Sequence, residues 1–248
     1  MKFIKVLIIS FLIFGLKDDD FLKTQKKNKR VKNAFNEKFN YLSTSLNKMG
    51  VGINNMNLIL IAYKDEQKID VYVKNSRDSK YIKFKTYDIC EKSGVLGPKR
   101  KEGDLQVPEG FYYINHFNPA SNFYLSLGLN YPNVSDKIKS GNVNPGGAIY
   151  IHGDCVTIGC LPLTDDKIKE IYVLACMARS SGQNKIPVYI FPYEMVNSKH
   201  EEMKNKFREN QMMLRFWENI KIGYNQFITN MKEVEFSTDS KGNYNFKK

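Results

Sequence analysis

The chain holds only three histidines, four cysteines and one tryptophan in 248 residues. Those scarcities narrow the chemistry. Cys90, Cys155, Cys160 and Cys176 are too few and too scattered for a disulfide scaffold, and no two of them form a CxxC pair. His152, Cys155 and Cys160 lie close together but lack a fourth ligand at finger-like spacing, so no metal is expected. No cysteine stands in a lipobox, and no internal repeat divides the chain. No apolar run is long enough to cross a bilayer comfortably. The charge is unbalanced the other way: 38 Lys and Arg against 26 Asp and Glu leave a net +12. Much of that excess sits in a Lys-rich lead, Lys23 to Lys38, and among C-terminal lysines. No DNA or RNA motif accompanies it, so a nucleic-acid partner is not expected. Anionic envelope polymers, a lipid surface or a plainly solvated basic face all suit the same charge.

Hydrophobic residues make up 42% and aromatics 13%, enough for one packed domain with extensions. Met1 to Leu16 has the order of an export signal: Lys2 and Lys5, then apolar Val6 to Phe14. No small-x-small cleavage site follows, because Leu16 runs straight into Lys17-Asp18-Asp19-Asp20. Residues 1–16 therefore read as a signal peptide or as a retained anchor that associates the chain with a membrane. Residues 17–50 read as a helical lead, with Phe35, Phe39, Leu42 and Leu46 at amphipathic spacing. Leu58 to Tyr63 and Lys68 to Val73, split by Lys64-Asp65-Glu66-Gln67, read as a hairpin. Further strands are expected at Tyr81–Tyr87, Phe111–Ile114, Phe123–Leu127, Ala148–Ile151 and Val188–Phe191. Thr164 is a good N-cap for a helix through Ala175, and Asp165 and Asp166 complement its positive end. Lys199 to Asn230 is helical in pattern. The fold class is α+β: a mainly β core with helical N- and C-terminal extensions.

Chemistry concentrates in Ile149-Tyr150-Ile151-His152-Gly153-Asp154-Cys155-Val156-Thr157-Ile158-Gly159-Cys160. A histidine and a cysteine stand eight positions apart in a Gly-broken run, entered from a strand and left by a helix. A free thiol with a pKa of about 8.5 is only a few per cent thiolate at neutral pH. A neighbouring imidazole can take its proton and return it to a leaving amine. Asp154 or a backbone carbonyl can orient that imidazole. Cys90 and Cys176 read as small buried hydrophobes and Cys155 as structural, with a redox or site-lining role as the alternative. His116 and His200 read as surface or loop residues, and Trp217 as packing.

His152-Gly153 followed by Thr157-Ile158-Gly159-Cys160 resembles the L,D-transpeptidase catalytic domain of the YkuD type, whose motif is His-Gly, a spacer, then Ser/Thr-His-Gly-Cys. The short spacer resembles the YafK-like branch. So do Cys90-x-x-Ser93-Gly94-x-Leu96-Gly97-Pro98-Lys99, Val107-Pro108-Glu109-Gly110-Phe111-Tyr112, Ser121-Asn122-Phe123-Tyr124 and Tyr131-Pro132-Asn133. The resemblance covers residues 55–195, leaving 196–248 as a C-terminal helical extension. It implies an exported enzyme of the periplasm or cell envelope that acts on peptidoglycan stem peptides without a metal or organic cofactor. Cys160 would be the nucleophile, forming a thioester with the stem-peptide diamino acid, and His152 the base and then the acid. Backbone N–H groups of Gly159 and Cys160 would face the oxyanion. Gly153, Thr157, Tyr112, Lys99, Glu109 and Ser121 fall in the substrate-binding or loop-fixing parts of the motifs. An amine acceptor makes the enzyme a transpeptidase. Water makes it a hydrolase that releases envelope proteins or crosslinks, with a peptidoglycan-linked envelope protein as a further partner. A dormant site would leave a peptidoglycan-binding protein. Two departures stand out: Ile158 replaces the family's histidine, and no arginine follows in Leu161-Pro162-Leu163.

Overall fold

The computed structural model describes residues 19–247. The export-signal reading of residues 1–16 lies outside them. The lead folds as two helices, α1 (Asp19–Lys26) and α2 (Lys29–Lys48). Asn28 caps α2 by accepting from the Arg30 N–H, and Val31, Phe35, Leu42 and Leu46 bury its inner face. Next come β1 (Met56–Tyr63), β2 (Lys68–Asn75) and β3 (Ile82–Asp88), an antiparallel meander. A long segment without regular structure leads to β4 (Gly110–Asn118) and β5 (Ser126–Leu129). After α3 (Val134–Ser140) come two very short strands, β6 (Tyr150–His152) and β7 (Leu161–Pro162). The chain ends with α4 (Asp165–Ser180), β8 (Ile186–Phe191), α5 (Asn197–Lys206), α6 (Gln211–Asn230), β9 (Phe236–Thr238) and β10 (Tyr244–Phe246).

Eight strands form one mixed sheet in the order β3-β2-β1-β8-β4-β5-β6-β7, and β9 and β10 pair apart from it. The sheet is covered on both faces. Leu58, Leu60 and Ala62 join the core shared with α2 and α4, whereas Ile59, Ile61 and Tyr63 join a second core with Trp217, Ile220 and Phe227 of α6. Double coverage explains why β1 reads as an unbroken apolar run and not as an alternating one. The molecule is thus α+β, with the lead and α4 on one face and the C-terminal segment on the other.

Several expectations shift. Thr164 does cap α4, accepting from the Lys167 N–H. The helical pattern over Lys199–Asn230 breaks before Gln211, where the Asn210 side chain accepts from Met213 N–H and restarts the helix. The strand expected from Phe123 begins only at Ser126, which leaves Phe123 in a turn. His116 is exposed on β4 as expected, but His200 is buried within α5. Its Nδ1 lies 2.9 Å from the Tyr193 hydroxyl and its Nε2 3.1 Å from Glu218. Burial follows from α5 lying over the second core, a long-range packing that local pattern does not carry.

Candidate active site

β6 and β7 run parallel, with Ile151 opposite Leu161 and His152 opposite Pro162. Ile151 and Leu161 both face the core. Side-chain alternation then leaves His152, and Cys160 just before β7, on the opposite side. His152 pairs with Pro162, two residues past Cys160, so the ladder brings both residues to the same end of the strand pair. Eight residues of sequence are thereby folded into one compact site.

His152 is 2% exposed. Its Nδ1 lies 2.6 Å from the Gly153 carbonyl, which can only accept, so Nδ1 carries the proton and Nε2 is left as the basic nitrogen. A backbone carbonyl, and not Asp154, therefore orients the ring. Phe123 stands against that ring at 4.8 Å between centroids. Burial pulls the imidazole pKa down, opposed by the Gly153 carbonyl and the Asp154 charge. Gly153 tolerates no side chain: a Cβ there would meet Asp165 Oδ1 at 2.5 Å and the Phe123 carbonyl at 3.1 Å. Its N–H is shared between the carbonyls of Phe123 and Leu125, which holds the turn carrying Phe123 against the strand end.

Cys160 is a free thiol. Its Sγ donates to the Ala148 carbonyl at 3.7 Å, and among the described residues no hydrogen bond joins it to the imidazole. Burial raises the thiol pKa, with the Tyr150 N–H and the Lys99 charge pulling the other way. The loop before it is wound round Thr157, whose Oγ1 accepts from the N–H groups of Gly159 (3.2 Å) and Cys160 (2.8 Å) and donates to the Cys160 carbonyl. The two expected oxyanion donors thus converge on an oxygen, and that oxygen is the threonine's own. Gly159 sits at φ +131°, and a Cβ would press on the Gln106 carbonyl at 3.0 Å, so glycine is favoured beside Cys160. Ile158, where the family carries histidine, is 80% exposed and lies off the site's polar network.

The thiol lines a small pocket whose walls include Lys64, Ile89, Ser93, Val95, Leu96 and Val107. Beneath that wall is a buried ion pair: Lys64 Nζ lies 2.9 Å from Glu109 Oε1 and also donates to the carbonyls of Gly97 and Val107. Glu109 in turn accepts from the Gly97 N–H and, through Oε2, from the indole N–H of Trp217 at 2.8 Å. Burial lowers the Lys64 pKa, and Glu109 opposes the shift.

The structure therefore brings Cys160, Gly159, Thr157, His152 and Gly153 together. It places Lys99 close enough for its charge to act on the thiol, although Lys99 is itself held by Asp104 at 2.6 Å. Glu109, Tyr112 and Ser121 direct their side chains to partners inside the fold. The Tyr112 hydroxyl bonds to the Glu109 carbonyl and the Asp136 carboxylate, and Ser121 Oγ accepts from the Phe123 N–H. Ser121 thereby shapes the turn that presents Phe123 to His152. From the lead, Arg30 donates to the carbonyls of Ser121 and Tyr124 and braces the same turn. Phe123, Lys64, Gln106 and Arg30 are site components that sequence reasoning missed. Only a mixture of apolar and charged residues near Ser121 and Val107 marked them, and neither type is diagnostic.

One expectation is overturned. Cys90 is not a small buried hydrophobe: it forms a disulfide with Cys155, 65 positions away in sequence with α-carbons 5.5 Å apart, which agrees with the structural reading of Cys155. Cys155 belongs to the turn joining His152 to Cys160. Cys90 belongs to the facing wall, where its N–H also bonds the Pro162 carbonyl. Cys176 is buried in α4, as its position on that helix requires. Trp217 is packed, as expected, but it is also a hydrogen-bond donor.

A short parallel strand pair presenting a His-Gly and a Gly-Cys at one edge of a mixed sheet defines a class, and the sequence comparison agrees. Residues 57–190 match the L,D-transpeptidase catalytic domain (YkuD), and the chain belongs to that family. YafK of Escherichia coli K12, which carries the L,D-transpeptidase name provisionally, is 36% identical over 168 residues, 66% of this chain. The match spans 64% of that relative's length. Among solved structures, the helical cell shape determining protein Pgp2 of Campylobacter jejuni is similar at 20% identity, covering 74% of this chain and 73% of that one, with a TM-score of 0.45. Bd1075 of Bdellovibrio bacteriovorus is similar at 22% identity, covering 71% and 62%, with a TM-score of 0.39. At that level of likeness nothing of their biology transfers to this chain.

Proposed function

We propose that this protein is a cysteine acyltransferase of the cell envelope that works on peptidoglycan stem peptides. The observation that carries the reading is the His152–Cys160 arrangement across β6 and β7, with Nδ1 committed to a carbonyl and a reduced thiol in the adjoining pocket. The Cys160 thiol swings from the Ala148 carbonyl towards the imidazole when substrate fills the pocket, since catalytic hydrogen bonds tighten in the bound complex. His152 Nε2 takes the thiol proton as Sγ bonds to the carbonyl carbon of the diamino acid. The oxyanion displaces Thr157 Oγ1 from the N–H groups of Gly159 and Cys160. The C–N bond then breaks, the imidazolium returns its proton to the leaving amine, and a thioester remains. An incoming amine loses its proton to His152 and releases the acyl group, restoring the thiol.

Gly153 and Gly159 admit close backbone approach, and Lys99 supplies positive charge near the reacting centre. Glu109, Tyr112 and Ser121 act by holding the walls. The Cys90–Cys155 disulfide supports an oxidising, exported location. Incubation with a stem tetrapeptide or a carbapenem should yield an acyl adduct by intact-protein mass spectrometry, and Cys160→Ala should abolish it. An adduct on the alanine variant would refute the assignment. Running the same digest with and without an acceptor amine separates amine transfer from hydrolysis.

A further inference from the structure

Phe123 is 42% exposed and joins neither core, yet its ring stands 4.8 Å from the His152 ring with 33° between the planes. Its position is therefore set by its backbone, in the turn from Ser121 to Tyr124. Local sequence does not favour that turn. Tyr124 sits at φ +66°, a left-handed conformation that a bulky residue rarely adopts and that persists only where the surroundings enforce it. The same turn carries the Phe123 carbonyl that receives the Gly153 N–H. Whatever fixes the turn thus fixes both a ring against the imidazole and a bond to the residue after it.

The fixing group comes from α2. Arg30 Nη1 donates to the Ser121 carbonyl at 2.5 Å and to the Tyr124 carbonyl at 2.7 Å, spanning the turn from its first residue to its last. Among the described residues no other donor reaches either carbonyl. The guanidinium carbon also lies 5.6 Å from the centre of the Tyr124 ring. A guanidinium offers its donors in a rigid fork, which suits two carbonyls held at a set spacing. α2 is itself firmly seated. Val31 and Ala34 are fully buried beside Arg30, Glu37 pairs with Lys169 at 2.6 Å, and Lys38 pairs with Asp166 at 2.5 Å. Asp166 adjoins Asp165, whose Oδ1 accepts the Asp154 N–H at 3.0 Å. The helix therefore supports the His152-Gly153-Asp154 run through two routes, and all of it lies outside residues 57–190.

We propose that Arg30 is a positioning residue of the active site: from α2 it locks the 121–124 turn so that Phe123 holds the His152 imidazole in its working orientation. The helical lead is then part of the catalytic unit and not a mere appendage to the family domain. The kinetic consequence rests on the acyl-transfer reading above; the geometric one does not.

Nuclear magnetic resonance of the full chain with ring-labelled histidine tests the geometry directly. Only three histidines give signals, and His152→Gln identifies the one that matters. The Phe123 ring current should shift the His152 signal upfield, and Phe123→Leu should remove that shift. Arg30→Ala should move the signal more than half of the way to its Phe123→Leu position. It should also slow acylation of Cys160 by about tenfold, the order expected when a reacting group is misplaced by a fraction of an ångström. In the doubly substituted protein the two losses should not multiply, because both act through one ring. Arg30 is exposed, so its replacement leaves the core intact. A His152 signal that stays in place in either single variant would overturn the proposal, as would an unchanged acylation rate or losses that multiply. A lowered melting temperature with an unmoved signal would mean that Arg30 serves stability alone, which also overturns it. If the parent forms no acyl adduct, the reading of Cys160 fails, while the His152 signal still decides the role of Arg30.

Discussion

Burial acts on His152 and Cys160, the two residues proposed to react, with opposite sign and one result. It lowers the pKa of the His152 imidazole and raises that of the Cys160 thiol, so both rest uncharged. A preformed thiolate–imidazolium pair is disfavoured, and proton transfer belongs to the attack itself. Two pH signatures follow. Alkylation of Cys160 by iodoacetamide should keep accelerating as pH rises past about 8.5, the ordinary thiol range. Acylation by substrate should fall on the acid side only below about pH 6.5, because a base with a lowered pKa stays neutral to lower pH. An alkylation rate that is already flat at neutral pH would contradict this. Cys176, fully buried, should not react in the folded protein. Thr157 adds a residue-scale feature, a hydroxyl kept in the nest where the oxyanion is proposed to sit.

Among elements, the site is two segments without regular structure held face to face. The 153–159 segment joins β6 to β7, and the 89–109 segment forms the opposing wall. Neither has a strand ladder to steady it. The Cys90–Cys155 disulfide ties the two together, and the Cys90 N–H bond to the Pro162 carbonyl ties the wall to β7. The disulfide also closes a long loop, which restricts the unfolded chain. Cys90→Ser with Cys155→Ser should lower unfolding free energy by about 2–5 kcal/mol in denaturant titrations and slow acylation of Cys160. An oxidised wild type and a double variant with the same midpoint and the same acylation rate would show that the clamp is idle.

Across the whole molecule, the sheet is a partition between two cores, and the C-terminal segment covers one of them. It reaches the active-site wall through a chain of bonds, from Trp217 on α6 to Glu109 and on to Lys64 and Gly97. Glu109 is fully buried and holds the only carboxylate bonded to Lys64 among the described residues. Glu109→Ala strands a buried ammonium and should cost about 3–5 kcal/mol. Trp217→Phe keeps ring packing against Tyr193 and Phe207 and removes only the indole donor, so about 1.5–3 kcal/mol is expected for that bond to a charged group. Equilibrium unfolding should rank the alanine variant as the weaker of the two. The reverse order would mean that the ion pair is not the keystone of that wall.

What could be read from the chain alone was whatever depends on near neighbours. The Lys64–Gln67 turn between two apolar runs, the Thr164 cap, the amphipathic lead and the His-Gly and Gly-Cys motifs are all patterns over a few residues, where backbone preference and side-chain period act directly. They were enough to place the α+β class and the family. Tertiary structure alone decided which cysteine meets which across 65 positions, that Trp217 serves a carboxylate 108 positions away, and that His200 is buried. It also decided that Phe123 leaves its expected strand to stand against His152. Such pairings are set by how layers stack, and layer stacking depends on the summed burial of many residues far apart in sequence. No local pattern encodes that sum, which is why the His-Gly and Gly-Cys motifs were visible in the sequence while the walls that hold them were not.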